Sequence, residues 1–177
     1  KNYLHLNLHP IVKSRPVVNT RNVIIPSERT NLLFEDFYFK ERGISEEILK
    51  KHKIGFWQKT GSIMNKRAIV PVFNENGELV GFSGRRLQDF DESVQKWVHA
   101  KDFITYSDDV FLKSNVLYNL NNVVKLIPKP DTLYIVEGPI DCWKIEMAGI
   151  FNVAATLGLG LSLRQKELLI QEGIKHL

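Results

Sequence analysis

TLYIVEGPIDCWKIEMAGIFNVAATLG, residues 132–158, contains the pattern that decides the fold. It begins with a short apolar run, 132–136, which is typical of a buried strand. Pro139 suits the first position of a helix, and Gly149 is a good residue to end one. The next apolar run, 152–157, predicts a second strand. Three residues of the intervening helix share one apolar face and predict packing in a core: Ile140, Trp143 and Met147.

The residues after this stretch continue the alternation of strand and helix. Ser162, with Gln165 three positions later, forms a capping-box pattern that opens a helix, predicted to run to about Glu172 and to end at Gly173. The run IKHL (174–177) then predicts the start of a third strand. Strands joined by helices of this length must be parallel, and open parallel sheets bind ligands beyond the carboxyl ends of their strands. The sequence therefore predicts an α/β fold with a parallel βαβα unit.

Two acidic residues lie where such a sheet would bind a ligand. Glu137 follows the first strand directly, and Asp141 falls in the first turn of the next helix. Carboxylates at this edge are well placed to bind a divalent metal ion or to transfer a proton. A purely structural interpretation also stands, because a strand can end in a solvated Glu and a helix dipole favours an acid in the first turn. The residues alone leave both interpretations open.

The chain before this unit has a different character. Residues 1–30 are punctuated by prolines and predict an extended lead segment or linker. Ser45 predicts a helix N-cap, with acids in the first turn and lysines near the end. The loop IPKPD (127–131) marks a change of unit. We therefore predict an α+β subdomain at 31–129 and the βαβα unit at 130–177.

RAIVPVFNENGELVGFSGRRL, residues 67–87, predicts a β-hairpin with strands at 67–73 and 78–87. Alternation predicts that one face of the second strand carries Leu79, Gly81, Ser83, Arg85 and Leu87. The small side chains at Gly81 and Ser83 leave room beside Arg85 for a phosphate or a sugar, which a guanidinium binds well. Arg86 falls on the other face, where an edge strand carrying a protective charge explains it more readily.

The charge of the chain is unevenly distributed. The net charge is +4 over 177 residues, but residues 1–67 carry 13 Lys or Arg against 6 Asp or Glu, a balance of +7. Residues 68–177 carry 11 against 14, a balance of −3. A basic front suits a polyanionic partner such as nucleic acid, although charge alone favours the simpler interpretation of a solvated lysine-rich surface.

Composition also excludes several classes of protein. No apolar run approaches the ~20 residues that a membrane span needs, and the N-terminus lacks the features of a signal peptide, so we predict a cytoplasmic protein without a membrane partner. The single cysteine, Cys142, excludes an internal disulfide and a cysteine-based zinc site. The chain begins at a lysine and stops in an apparent strand, so we interpret it as a fragment of a longer protein.

The pattern V-E-G-x-x-D, followed by A-G-I-x-N-V-x-A-T-L-G, resembles the first half of the TOPRIM domain, and most of all that of the bacterial-type, DnaG-like DNA primases. Upstream, RGISEEILKKHKIGF (42–56), the hairpin segment and YSDDVFLKSNVLYNL (106–120) resemble the N-terminal part of the same family's RNA-polymerase domain, in the same order. The resemblance covers about 42–177. The zinc module that usually begins these primases is not in this chain.

The resemblance implies roles for particular residues. Glu137 matches the TOPRIM glutamate of metal-dependent catalysis and Asp141 the acid that follows it, so Glu137 is the expected ligand of Mg²⁺ or Mn²⁺. The remaining acidic ligands are expected beyond Leu177. Four basic residues match positions that bind template or nucleotide: Arg67, Arg85, Lys96 and Lys113. The match at Lys96 is loose, and Lys101 is the alternative there.

The implied function is the synthesis of short RNA primers on a single-stranded DNA template by metal-dependent nucleotidyl transfer. The implied partners are the template, ribonucleotides and a replicative helicase, either fused or separate. Because most of the metal site is missing, we expect this fragment alone to be inactive. Two alternatives remain: a TOPRIM nuclease or topoisomerase, and a nucleic-acid-binding module without catalysis.

Overall fold

The structure is a computed structural model, and it describes residues 37–57, 67–86, 89–91, 96–98, 101–104 and 112–177. The predicted lead segment, 1–30, lies outside the described residues. The described residues combine helices and strands, which alternate in the C-terminal part, as expected for an α/β protein. Within the described ranges, no helix is long and apolar enough to cross a membrane.

Two short helices precede the first sheet. Helix α1 spans Phe37–Lys40, and helix α2 spans Glu46–Lys51. The predicted N-cap of α2 is confirmed, because the hydroxyl of Ser45 accepts a hydrogen bond from the backbone N–H of Ile48 at 3.4 Å. Acids in the first turn and lysines in the last complement the helix dipole.

A four-stranded antiparallel sheet follows, in the order β1–β2–β3–β6. Its strands are β1 (Gly55–Trp57), β2 (Arg67–Phe73), β3 (Leu79–Arg86) and β6 (Lys101–Ile104). A separate ribbon pairs β4 (Asp89–Asp91) with β5 (Lys96–Val98). The predicted hairpin of β2 and β3 is confirmed.

The turn of this hairpin is held by one side chain. Asn74 accepts hydrogen bonds through Oδ1 from the backbone N–H groups of Asn76, at 3.1 Å, and Glu78, at 2.9 Å. Gly77 has φ +84°, a conformation that favours glycine. The second strand therefore begins at Leu79, one residue later than predicted.

A β-bulge changes the predicted face of β3. Val72 pairs with Gly81, but the next residue of β2, Phe73, pairs with Leu79. Val80 is the extra residue, and it interrupts the alternation of side chains. The prediction that Leu79 shares a face with Gly81 was therefore wrong, because a bulge cannot be recognised from alternation alone.

The C-terminal part contains the predicted βαβα order. It comprises β7 (Tyr134–Val136), α4 (Pro139–Met147), β8 (Val153–Ala155) and α5 (Leu163–Gln171), with β7 and β8 parallel. The capping box of Ser162 and Gln165 is present in full. In place of a third strand, the described chain has one parallel bridge from His176 to Thr132.

The buried face of α4 differs from the prediction. Trp143 is fully buried, but Met147 is 46% exposed, and the buried residue in the last turn is Glu146, at 3% exposure. The helical period places Glu146 three positions after Trp143, on the inner face, and Met147 beside it on the rim. Including Met147 in the apolar face was therefore wrong.

Two hydrophobic clusters hold these elements together. The larger one joins α1, α2, β2 and β3 to α4 and β8, and at its centre the rings of Phe39 and Trp143 meet edge to face at 5.0 Å. The smaller one packs α3 (Leu120–Val123) and α5 around β8. The larger cluster contains residues from both sides of the predicted boundary at 129/130. That boundary stays a prediction.

Candidate active site

Glu137 and Asp141 lie together at the carboxyl end of β7. Glu137 follows the strand directly, Asp141 is in the first turn of α4, and both are exposed. A Cβ placed on Gly138 would lie 3.7 Å from Oδ2 of Asp141, so this carboxylate folds back towards the residue next to Glu137. The backbone N–H of Leu157 donates to the carbonyl of Glu137 at 3.0 Å, which fixes this edge.

These two carboxylates suit a hydrated divalent cation. Mg²⁺ keeps several waters and takes one or two protein carboxylates together with substrate phosphates. Glu137 and Asp141 are both open to solvent, so that their oxygens remain accessible. In the part of the chain that the structure describes, this edge included, no group of three or more Asp, Glu, His or Cys side chains is arranged to hold a metal ion.

Arg85 lines a cavity of about 100 Å³ between the sheet and the start of α4. Its other walls include Ser83 from the same face of β3, and Pro139 and Ile140 from the first turn of α4. The Nε atom of Arg85 is buried and has no hydrogen-bond partner among the described residues. A buried donor without a partner is unfavourable, so this guanidinium is ready to bind an acceptor that enters the cavity.

A second arginine, which the sequence did not single out, lines the same cavity. Arg42 lies just after α1, and its guanidinium stands 4.5 Å from the centroid of the Tyr38 ring. Stacking on an aromatic ring holds a guanidinium in a defined plane. The cavity therefore contains two arginines that come from segments more than 40 positions apart in the chain.

The other predicted basic residues lie in different surroundings. Arg67 is only 2% exposed, so its side chain is not at the surface. Lys113 is exposed in a 3₁₀ turn, Lys113–Asn115, whose first carbonyl accepts a hydrogen bond from the side chain of Gln165 at 3.1 Å. Only the backbone is described at Lys96, opposite Asp91 in the β4–β5 ribbon, and at Lys101.

The strand register distinguishes Lys96 from Lys101, the two candidates for one template- or nucleotide-binding position. Lys101 of β6 is the direct pairing partner of Arg85 in β3. Residues that pair directly across antiparallel strands share a face of the sheet. Lys101 therefore occupies the position next to Arg85 in the sheet, whereas Lys96 belongs to the separate ribbon.

Comparison with known proteins gives a consistent result. The family model described as DNA primase catalytic core, N-terminal domain, matches residues 58–124. A DNA primase of Clostridium acetobutylicum is 32% identical over 163 residues, which is 75% of this chain and 26% of the relative. The chain belongs to the bacterial-type, DnaG-like primase family.

Solved structures of DnaG primases share the fold. The RNA polymerase domain of Mycobacterium tuberculosis primase DnaG superposes with a TM-score of 0.60 at 22% identity, over 78% of this chain and 53% of that one. A DnaG primase catalytic domain bound to ssDNA gives 0.57 at 23% identity, over 76% and 50%. The chain thus spans about a quarter of the length of the curated primases that it matches and about half of these solved domains.

A buried polar network connects the N-terminal part of this primase-family chain to α4. The carboxylate of Glu146 is completely buried and binds three side chains. His52 Nε2 lies 2.6 Å from Oε2, Lys51 Nζ donates to Oε1 at 2.8 Å, and Asn119 Nδ2 donates to Oε1 at 3.1 Å. Because each oxygen of the carboxylate is hydrogen-bonded, the buried charge is compensated.

The network continues to the tryptophan at the centre of the core. Trp143 Nε1 donates to the hydroxyl of Tyr118 at 2.9 Å, and that hydroxyl lies 2.9 Å from His52 Nδ1. Every donor finds an acceptor if Tyr118 donates to Nδ1 and His52 donates from Nε2 to Glu146. Burial raises the pKa of Tyr118 well above its ordinary value, so that its hydroxyl keeps the proton this arrangement requires.

This network was missed from the sequence. His52 and Glu146 are 94 positions apart, and nothing local in the sequence pairs them. One signal was present, because Glu146 follows Trp143 by three residues and Cys142 by four, the spacing of one helical face. An acid on the inner face of an amphipathic helix predicts a buried partner.

The network makes the stability of the fold sensitive to acid. Burial raises the pKa of Glu146, but the hydrogen bonds from His52 and Lys51 outweigh that effect, and the pKa lies below its ordinary value of 4.5. The stabilisation is therefore complete above pH 4.5 and is lost as the pH falls through the lower pKa of the folded state. In urea titrations above pH 4.5, we expect Glu146→Gln to have a lower free energy of unfolding than the unaltered chain. Below pH 4.5 this difference should disappear.

The matched control is Glu41→Gln, which removes an exposed carboxylate. It should follow the unaltered chain at every pH. If the free-energy gap between Glu146→Gln and the unaltered chain stays constant from pH 6 to pH 3, Glu146 does not contribute to the acid dependence.

Proposed function

We propose that this chain forms part of a DNA primase catalytic core that builds RNA primers on single-stranded DNA. In this reaction a 3′-hydroxyl attacks the α-phosphate of a ribonucleotide, and pyrophosphate leaves. The observation that carries the proposal is the unpartnered, buried Nε of Arg85 in a cavity walled by the first turn of α4, directly after Glu137. It supports a role for Arg85 as an anion-binding donor, next to the start of the helix that carries Asp141.

Arg85 is proposed to bind a phosphate of the template or the nucleotide. Its guanidinium donors suit phosphate oxygens, and Ser83 adds a small hydroxyl to the same wall. Lys113, and Lys96 or Lys101, are proposed to extend the same basic surface. Among the proposed template- and nucleotide-binding residues, Arg67 is expected to make the least direct contact, because its buried side chain has little access to a ligand.

Glu137 and Asp141 are proposed to hold Mg²⁺ or Mn²⁺, with Glu137 as the principal ligand. The bound ion would neutralise charge on the reacting phosphates. The βαβα unit from β7 onwards is proposed to be the first half of a TOPRIM domain. Two carboxylates are a small ligand set for this chemistry, so we also propose that the chain alone makes no primers.

The proposed partners are single-stranded DNA, ribonucleotides and a replicative helicase in the cytoplasm. Relatives that are DNA primases support the first two, and one similar catalytic domain has been solved bound to ssDNA. A nuclease or topoisomerase is not favoured, because the matching family model and the curated relatives are those of DNA primases. Primer synthesis and DNA cleavage, assayed on the same labelled template, separate these activities.

The Arg85 assignment predicts a specific loss of DNA affinity. We expect Arg85→Gln to weaken binding of a single-stranded oligonucleotide roughly tenfold, because a charge-assisted hydrogen bond is lost. Removing one phosphate contact should also reduce the slope of log affinity against log salt by about 0.7. Fluorescence anisotropy over a salt series measures both quantities.

Arg164→Gln is the matched control, since it removes the same charge from α5, where Arg164 pairs with Glu167 at 3.3 Å. This variant should bind DNA almost as well as the unaltered chain. The melting temperature of Arg85→Gln should stay nearly constant, because its Nε has no partner within the described structure. Equal losses of affinity in the two variants contradict the assignment.

A further inference from the structure

A second cavity, of about 160 Å³, lies at the opposite end of α4 from Glu137. It is enclosed by the end of α2, the turn of the β2–β3 hairpin and helix α3. His52 and Asn119, which bind the buried Glu146 near the end of α4, form part of its wall. Asp141 is in the first turn of α4, so the helix separates this cavity from the carboxylate edge.

The cavity is cationic. Three lysines line it, and neither aspartate nor glutamate is among the lining residues. The charge of Lys51 is compensated by Glu146 at 2.8 Å. Lys53 stands 5.2 Å from the centre of the Phe73 ring, and Lys125 has no ion pair within the described ranges. Two of the three lysines therefore have no ion-pair partner among the residues that the structure describes.

Neutral hydrogen-bond donors lie beside these charges. The side-chain amides of Asn121 and Asn122 are in the same wall. The Nδ2 of Asn121 makes a long contact of 3.3 Å with Oδ1 of Asn122, and the Nδ2 of Asn122 donates one of its two protons to Oδ1 of Asn119 at 2.8 Å. A Cβ on Gly77 would lie 3.6 Å from Nζ of Lys125, so the ammonium lies against the hairpin turn. Ammonium groups and amide N–H groups on one concave wall form a recognition surface for an oxyanion.

We propose that this cavity binds a phosphate group through Lys53 and Lys125, with the amides of Asn121 and Asn122 as neutral donors. The site is separate from the proposed polymerase function and does not depend on it. The ligand is a phosphorylated small molecule, such as a nucleotide or pyrophosphate, or a phosphodiester of a nucleic-acid strand. The chemistry of recognition is the same for both sources.

The experiment compares three probes by calorimetry at fixed ionic strength: pyrophosphate, ATP and an oligothymidylate without a terminal phosphate. We expect Lys125→Gln to weaken the binding of at least one probe about tenfold or more, and Lys53→Gln to do the same. Lys166→Gln, which removes an exposed charge from α5, is the control and should change affinity less than twofold. A loss with pyrophosphate and ATP alone assigns the small-molecule source, whereas a loss with the oligonucleotide assigns the strand.

The position of binding is checked by nuclear magnetic resonance. Pyrophosphate, or the oligonucleotide if that is the probe that binds, should shift the amide signals of Gly77, Asn122 and Lys125 more than that of Gly138. Arg85→Gln should leave these shifts in place, which distinguishes this cavity from the proposed active site. The proposal is overturned if none of the probes binds, if Lys166→Gln loses as much affinity as Lys125→Gln, or if the shifts appear only around Gly138.

Discussion

Replacement of His52 by leucine is expected to lower the free energy of unfolding by about 3 kcal/mol, because it removes a partner from a buried charge. The carboxylate of Glu146, whose side chain is fully buried, loses the donor at 2.6 Å. The hydroxyl of Tyr118 also loses its acceptor at 2.9 Å. A leucine fills similar space, so the loss reflects unsatisfied polar groups more than an empty cavity.

A double-mutant cycle tests this cause. If the penalty comes from the carboxylate oxygen that loses its donor, adding Glu146→Leu to His52→Leu should restore part of the stability, since replacing both partners of a buried hydrogen bond by apolar groups is often close to neutral. Urea unfolding at pH 7 gives the four free energies. Losses that simply add, or a loss below about 0.5 kcal/mol for His52→Leu, contradict the assigned role of the network.

Local signals in the sequence predicted much of this fold. The capping box at Ser162 and the N-cap at Ser45 are short-range hydrogen bonds, and both are present. Pro139 begins α4, and Gly149 follows it with φ +85°, as their backbone preferences require. These features depend only on a few neighbouring residues, so the local sequence is enough to predict them.

The features that the sequence did not predict depend on distant contacts. Leu79 changed face because of a bulge that the pairing with β2 imposes. Glu146 is buried because His52, Lys51 and Asn119 converge on it from two other segments. The helical period places Glu146 on the inner face of α4 but does not identify its partners, and the bulge follows from neither propensity nor period. Both features depend on how the elements pack together.

The candidate site also combines features that the local sequence predicts with features that depend on packing. A glutamate at the end of an apolar strand and an arginine on a face with small neighbours were recognisable in the sequence. Glu137 follows β7 directly, and Arg85 lines the cavity between the sheet and the start of α4. The contribution of Arg42 to that cavity, and the burial of Arg67, required the packing of α1 and of β2 against the core. Their roles toward a ligand remain predictions for the variants described here.

Glu137→Gln is expected to reduce primer synthesis at least about a hundredfold, the largest effect on activity that we predict. The substitution keeps the shape of the side chain but removes the charge that we propose binds the metal ion. The activity is measured in a chimera in which this chain replaces the matching segment of the catalytic core of a DNA primase, such as the relative that is 32% identical. Asp141→Asn should reduce activity less, because a helix dipole alone explains an acid at that position.

The controls separate catalysis from binding and folding. Glu167→Gln removes a carboxylate from α5 and should leave primer synthesis unchanged. Glu137→Gln should bind single-stranded DNA as tightly as the unaltered chimera or slightly more tightly, since a negative charge near phosphate is lost. An equal fall in DNA affinity and in primer yield would indicate that Glu137 acts in template binding.

Primer yield against Mg²⁺ or Mn²⁺ concentration, for the unaltered chimera and its Glu137→Gln variant, tests the metal-dependent role of this edge most directly. The unaltered chimera should give a yield that rises with metal concentration and then saturates. Glu137→Gln should stay near background throughout, or rise only at much higher metal concentrations. Two curves that coincide would contradict the assignment of Glu137 as the catalytic carboxylate.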